Sequence, residues 1–392
     1  MDAAFRGGTP EDYLRLLRPP PGSIGVFGLR GAGKATWARA CFPDSHLVDL
    51  RDQWQYQTLL ADPGELARSL HTVPSRQVVI VNDVHRVPAL FAEVHRAIAA
   101  SERRFVLLGS NVRPLGAAAG LLANRVAVQT MYPLVPAELG HDFTLDRVLR
   151  FGSLPGVWDA ADPSAALEAY VQAYVREEIR GEAVVRNLSA FLRFLPAAAL
   201  AHGQVVNVTA LARDAATSRS TVDGYLRILR DTLMATLLPA FEPRLRARER
   251  RHPKLYWTDA GVVRAAKRQL GDVTAEERGA LVEGLVLTVL RAHNDRGELF
   301  DDIGYWAPAQ ARATEVDFLL RRGRDYVAIE VKAHARHAPP QLAGLRAIAD
   351  LPHLVRRVLV YLGERPLRTE DGIDVWPLAE WLDAVAANRL WP

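Results

Sequence analysis

One cysteine, Cys41, is all that a chain of 392 residues contains, so it can close no intrachain disulfide and build no multi-cysteine zinc site. No apolar run approaches the roughly 20 residues that span a bilayer. The opening Met1-Asp2-Ala3-Ala4 lacks the basic and apolar regions of an export signal. These absences place the expected compartment in the cytoplasm and exclude a membrane partner. An excess of one charge is missing too, since the formal net charge is only +4. Hydrophobic residues at 49% and charged residues at 24% describe an ordinary folded protein, long enough for two or three domains with separate cores. The modest net charge conceals clustering: Arg244, Arg246, Arg248, Arg250, Arg251 and Lys254 crowd one short run, and Arg264, Lys267 and Arg268 follow. Such a run suits phosphate backbones, or else a solvated face.

The most informative stretch is Gly28-Leu29-Arg30-Gly31-Ala32-Gly33-Lys34, which follows the strand-like Ile24 to Phe27. It fits the phosphate-cradling loop G-x-x-x-x-G-K, with Ala35 in place of the customary Ser or Thr. The glycines let successive N–H groups turn inward, Lys34 adds a charge for the outer phosphates, and a helix begins there with its positive end toward the anion. Gly28, Arg30, Gly31, Ala32, Gly33, Lys34, Ala35 and Thr36 are the expected nucleotide contacts, with ATP or ADP as ligand.

Strand-like runs then alternate with helical ones: Ile24–Phe27, His46–Leu50, Gln77–Val81, Phe105–Leu108 and Arg125–Thr130 against helices near 34–41, 64–70 and 88–100. A short helix is also expected around Tyr13 to Leu17. Alternation of this kind predicts a mostly parallel sheet with nucleotide at the carboxyl ends of its strands. The run Val78 to Val81 ends in Asn82-Asp83, where a P-loop enzyme carries a metal-orienting acid and then a water-activating one. Ala35 has no hydroxyl and Asn82 no charge. If the strand continues, Asp83 faces away from Asn82. Nucleotide is therefore expected to bind, with Asp83 as the remaining catalytic candidate and hydrolysis slow or absent.

From Pro163 to Ala201 the apolar spacing is helical, as in Leu167, Tyr170, Val171, Tyr174 and Val175. Asn207 to Leu229 then reads as a helix, a tight turn and a second helix opened by a hydroxyl cap. Leu233 to Phe241 and Lys254 to Trp257 supply two strands of a wing. Domains of this plan read a major groove with Ser218, Arg219 and Thr221 placed as these are, which makes DNA the expected partner; others pack inside ATPases.

Near the end, Glu283 sits in an apolar helix, and the hairpin Glu315–Leu320/Tyr326–Lys332 carries Asp317, Glu330 and Lys332. Strand alternation puts Glu330 and Lys332 on one face, where Asp317 can meet them. Glu283, Asp317 and Glu330 would make a hard oxygen site for Mg²⁺ or Mn²⁺, with Lys332 offsetting developing charge. The alternative is an inert domain that only binds partners.

In this order, the P-loop, the Asn82-Asp83 strand, the Gly109-Ser110 turn, Pro253-Lys254-Leu255-Tyr256 and Glu330-Val331-Lys332 resemble a family over residues 12 to 385. It comprises bacterial and archaeal AAA-type ATPases with a C-terminal domain of PD-(D/E)XK nuclease-like fold and unknown function. The resemblance implies an α/β chain: a P-loop AAA-like parallel-sheet domain (1–140), a helical and winged-helix middle (141–270) and an α/β nuclease-like domain (271–392). It carries over Gly28, Gly33 and Lys34 as nucleotide contacts, with Glu283, Asp317, Glu330 and Lys332 as a catalytic, metal-dependent deoxyribonuclease-like set. It also makes Asn111 a candidate γ-phosphate sensor and gives Gln341 a place near the acids, with Leu345 where relatives carry an aromatic residue. Arg113 or Arg125 would reach phosphate in its own chain or in a neighbouring subunit of a homo-oligomer, or else be a surface arginine. Ala35 and Asn82 depart from the pattern.

Overall fold

The structure, a computed structural model, describes residues 13–123, 125–180, 185, 187–241, 252–308 and 314–392. Its contacts group the chain into two units: Met1–Leu134 with Leu154–Arg186 and Leu226–Met234, and Val135–Ser153 with Asn187–Tyr225 and Ala235–Pro392.

In the first unit the β-branched apolar runs become strands β1 (Ser23–Gly28), β2 (His46–Asp49), β3 (Val79–Asn82), β4 (Phe105–Gly109) and β5 (Val126–Met131). They pair in parallel in the order β2-β3-β4-β1-β5. Every residue of β1, β3 and β4 is buried, which is why these strands read as continuous apolar runs rather than alternating ones. Phe27, Val81, Phe91, Phe105 and Leu107 join one core beside them. Because β4 lies between β1 and β3, the P-loop, the Gly109-Ser110 turn and Asn82-Asp83 all emerge at the same edge of the sheet.

Residues 13–22 hold no helix, against the expectation for Tyr13 to Leu17. Tertiary bonds take over the segment instead. Arg15 donates to Ala32 O at 2.7 Å and Tyr132 O at 2.5 Å, Leu17 O accepts from the Trp37 indole at 3.2 Å, and three prolines follow. Two helices went unread, Gln53–Ala61 and Arg113–Leu122. The first has a clear start, with the Asp52 side chain accepting from Gln55 N, but it buries only Leu59 and so shows no apolar stripe.

In the second unit the helices Leu188–Leu200 and Val208–Asp214 pack beside a small antiparallel sheet of β6 (Gln204–Val205), β7 (Ala235–Leu238) and β8 (Lys254–Trp257), ordered β6-β8-β7. The next helix, Arg219–Asp231, opens as expected on a hydroxyl, Ser218 Oγ accepting from Thr221 N at 3.2 Å. Arg244, Arg246, Arg248, Arg250 and Arg251 lie outside the described residues. The C-terminal sheet is mixed: β9 (Asp302–Trp306), β10 (Val316–Arg322), β11 (Asp325–Lys332), β12 (Leu354–Tyr361), β13 (Leu367–Arg368) and β14 (Asp374–Pro377), in the order β13-β14-β12-β11-β10-β9. β10 and β11 form the expected hairpin, and Gly323 takes the left-handed φ of 60° that its tight turn needs. The helix Ala275–Gly297, which carries Glu283, begins in a capping box of Thr274 and Glu277.

Candidate functional site

The P-loop geometry follows from its glycines. A Cβ on Gly28 would collide with the Met131 carbonyl, while Gly31 and Gly33 hold φ of 77° and 92°. The helix Lys34–Cys41 starts at Gly33 with no side-chain cap, leaving first-turn N–H groups open toward the loop. Ala32 is buried, and Ala35 and Thr36 are half-buried on that first turn. Lys34 is buried, and its Nζ donates to Gly28 O and Leu29 O, both at 2.8 Å. Burial brings its pKa down to about 8, opposed by the nearby carboxylates of Asp83 and Glu178.

At the end of β3, Asn82 spends its amide on Asp49, donating to Oδ1 at 2.9 Å, and Arg51 grips the same carboxylate. Asp83 has φ 56°, so the strand stops at Asn82 and the alternation expected between the two does not hold. Ala35 offers no hydroxyl and Asn82 no charge, so both customary magnesium positions lack their usual oxygen donor. Asn111 Oδ1 accepts from Arg113 N at 3.0 Å, a turn cap. Arg113 and Arg125 are exposed.

Ser110, of the turn already singled out in the sequence, completes this edge with two residues that sequence reasoning missed, Arg15 and Glu178. Ser110 Oγ donates to Glu178 Oε1 at 3.0 Å and lies 3.4 Å from His85 Nε2. Arg30, expected at phosphate, instead reaches Glu178 Oε1 at 3.3 Å and pairs with Glu177. Glu178 is 3% exposed, and its Oε2 is buried without a hydrogen-bond partner among the described residues. A signal for it exists. The stripe Leu167, Tyr170, Val171, Tyr174, Val175 continues at the same spacing to Glu178, an acid on the buried face.

In the C-terminal sheet, Asp317, Glu330 and Glu283 do converge with lysine, but with more than Lys332. Lys254 Nζ lies 3.2 Å from Asp317 Oδ1 and 3.4 Å from Glu315 Oε1, and Val331 N donates to Asp317 Oδ2 at 3.0 Å. Tyr256 donates to Glu283 Oε2 at 3.0 Å. Lys332 meets Glu330 Oε1 at 2.5 Å, and Glu330 Oε2 is buried without a partner among the described residues. Burial, then the Asp317 charge, raises Glu283 to about 8 and lifts Glu330 well above the carboxylate range. The acids raise Lys254 and Lys332 against their burial. Among the described residues no three His, Cys, Asp or Glu are placed to hold a metal ion. Glu283, Asp317 and Glu330, the trio expected to hold Mg²⁺ or Mn²⁺, lie in one buried cluster in which the Lys254 ammonium neutralises Asp317. Gln341 is a cap, accepting from Ala338 N at 2.8 Å, and Leu345 is core.

The basic run is corrected in part. Lys254 is internal, and so are Arg264, bonded to Glu277, Arg150 O and Gly271 O, and Lys267, at 2.8 Å from Glu277. Arg268 is exposed. Ser218 and Arg219 are exposed and Thr221 half-buried, with Ser218 Oγ 2.8 Å from the Thr221 hydroxyl. Among the described residues no helix is long and apolar enough to cross a membrane.

Comparison with known proteins places an AAA domain over residues 21–140, a domain of unknown function (DUF8612) over 142–272 and another (DUF4143) over 278–381. The first match makes the N-terminal module AAA-like, which supports nucleotide binding there. The chain is 28% identical over 386 residues to uncharacterized proteins of Mycobacterium tuberculosis and Mycobacterium bovis, covering 93% of this chain and 81% of each of theirs. Among solved structures it is similar to a signal-transduction (STAND) ATPase with a tetratricopeptide-repeat sensor from Pyrococcus horikoshii. That likeness is 12% identical with a TM-score of 0.22, over 73% of this chain and 48% of the other. A protein from Vibrio cholerae is 13% identical with a TM-score of 0.24, over 94% and 96%. At such scores neither likeness bears on function.

Proposed function

We propose that this chain is a nucleotide-dependent switch: the AAA-like module holds ATP or ADP on residues 28–36, hydrolyses it slowly or not at all, and governs how the second unit meets DNA. The observation that carries this reading is the P-loop backbone, with Gly28, Gly31 and Gly33 in the required conformations and Lys34 at the mouth of an uncapped helix. The absence of an acid at Asn82 and a hydroxyl at Ala35 argues for weak turnover, leaving Asp83, just past the end of β3, as the candidate to activate water. The order helix, β6, helix, helix, β7, β8 supports a winged helix, and exposed Ser218 and Arg219 open the second helix of its helix-turn-helix. A homo-oligomer is the form in which exposed Arg113 or Arg125 would serve a neighbour. Calorimetric titration with ADP and ATP tests the switch: binding by the wild type that Lys34→Ala weakens by about 100-fold supports it, and no binding overturns it. Phosphate release abolished by Asp83→Asn would make the protein a true, slow ATPase.

A second reading, a deoxyribonuclease using Glu283, Asp317, Glu330 and Lys332, draws on the unpartnered buried oxygen of Glu330 beside Lys332. DNA cleavage with Mn²⁺ or Mg²⁺ that Lys332→Ala abolishes would establish it. No cleavage leaves the C-terminal domain as an inert binding module.

A further inference from the structure

Glu178 stands among groups that suit a phosphate, not a carboxylate. Its Oε1 takes the Ser110 hydroxyl at 3.0 Å and the Arg30 guanidinium at 3.3 Å. Ser110 follows β4, the strand next to the P-loop strand β1, and Arg30 belongs to the loop itself. Lys34, whose amine in such loops reaches the β- and γ-phosphates, lies close enough to feel the Glu178 charge. The acid arrives from far along the chain, on the π-helical turn Val175–Arg180. Tyr170, on the helix just before that turn, stands 3.6 Å from where a Cβ on Gly31 would be. So the segment 170–178 covers the tip of the loop.

The fit is incomplete. Glu178 is 3% exposed, yet its second oxygen has no donor among the described residues, and a buried carboxylate oxygen without one is costly to keep. A phosphate presents three oxygens to the same donors and carries more charge. The two anions cannot share the donors, because like charges at such separation repel strongly where water is excluded.

We propose that Glu178 occupies the place of the terminal phosphate, so that the resting site takes a nucleoside diphosphate and a triphosphate must displace the carboxylate. Displacement moves the turn Val175–Arg180 off the loop, which gives the protein a way to distinguish the two nucleotides. The inference rests on the nucleotide site proposed above and assigns its ligand preference to one residue.

The test is titration of the full chain with ADP and ATP, each with Mg²⁺ and with EDTA, for wild type and Glu178→Gln. Gln keeps the shape and can still accept from Ser110, but removes the charge; thermal melting checks that the variant folds. The expected result is a wild type that prefers ADP, and a variant whose ATP affinity rises about tenfold while that for ADP changes less than about twofold. Equal changes for both nucleotides would reduce Glu178 to a structural acid and overturn the inference. ATP binding weakened only when Mg²⁺ is present would make Glu178 a cation ligand and overturn it too. If neither protein binds either nucleotide, the site reading itself falls and this inference with it; ADP binding with no change in the variant removes the inference alone. Ser110→Ala gives a second check, because losing a donor shared by both anions should weaken ATP without strengthening ADP.

Discussion

Replacing Lys254 by Met is the sharpest probe of the second unit. The ammonium is 2% exposed and lies 3.2 Å from Asp317 Oδ1, and Asp317 is itself 1% exposed. Without it the carboxylate keeps the Val331 N–H but loses the cation in contact with it, inside a buried cluster that also holds Glu283 and Glu330. Breaking a buried pair by removing one partner typically costs about 3–5 kcal/mol, so we expect a destabilisation in that range. Urea unfolding followed by near-ultraviolet circular dichroism near neutral pH measures this directly. The double variant Lys254→Met/Asp317→Asn should recover at least about 2 kcal/mol, since it leaves no unpaired charge. A loss below about 1 kcal/mol near neutral pH would refute the account of Lys254 as the cation that neutralises Asp317.

Glu283, raised by burial to about 8, binds a proton in the folded chain that the unfolded chain releases near 4.5. Its contribution is therefore complete below that lower value and is lost as pH rises through about 8, so Glu283→Gln should flatten the fall in melting temperature between those limits. At the P-loop, Lys34 with a pKa of about 8 is mostly neutral at pH 8.5, and phosphates favour its charged form. Nucleotide binding at that pH should take up about 0.7 proton, seen in calorimetry across buffers of different ionisation enthalpy; no uptake would remove Lys34 from the phosphate. Gly28→Ala drives a methyl group into the Met131 carbonyl, so it should cost at least about 2 kcal/mol and abolish nucleotide binding, read by thermal melting and titration.

What could be read from the sequence was local. The P-loop is seven contiguous residues, the hairpin of β10 and β11 is one turn long, and the helix Arg219–Asp231 announces its cap at Ser218. In each case the residues that act together are neighbours in the chain, so spacing alone conveys their geometry. The parallel sheet followed from alternation, because buried strands need helices to return between them. Tyr13 to Leu17 misled because an apolar run has no helix of its own once Arg15 and the Leu17 carbonyl are bound elsewhere.

Tertiary structure alone decided which charges meet. Arg30 and Glu178 are 148 positions apart, and Lys254 and Asp317 are 63 apart, so no periodicity links them. The sequence suggested Lys254 and Arg264 as surface cations and Glu283, Asp317 and Glu330 as a metal trio. Folding made Lys254 the counter-charge of that trio and tied Arg264 to Glu277. The reason is energetic: a buried carboxylate must find a proton, a metal or a cation. Which one it finds depends on what the packed chain brings within a few ångströms, not on the order of residues.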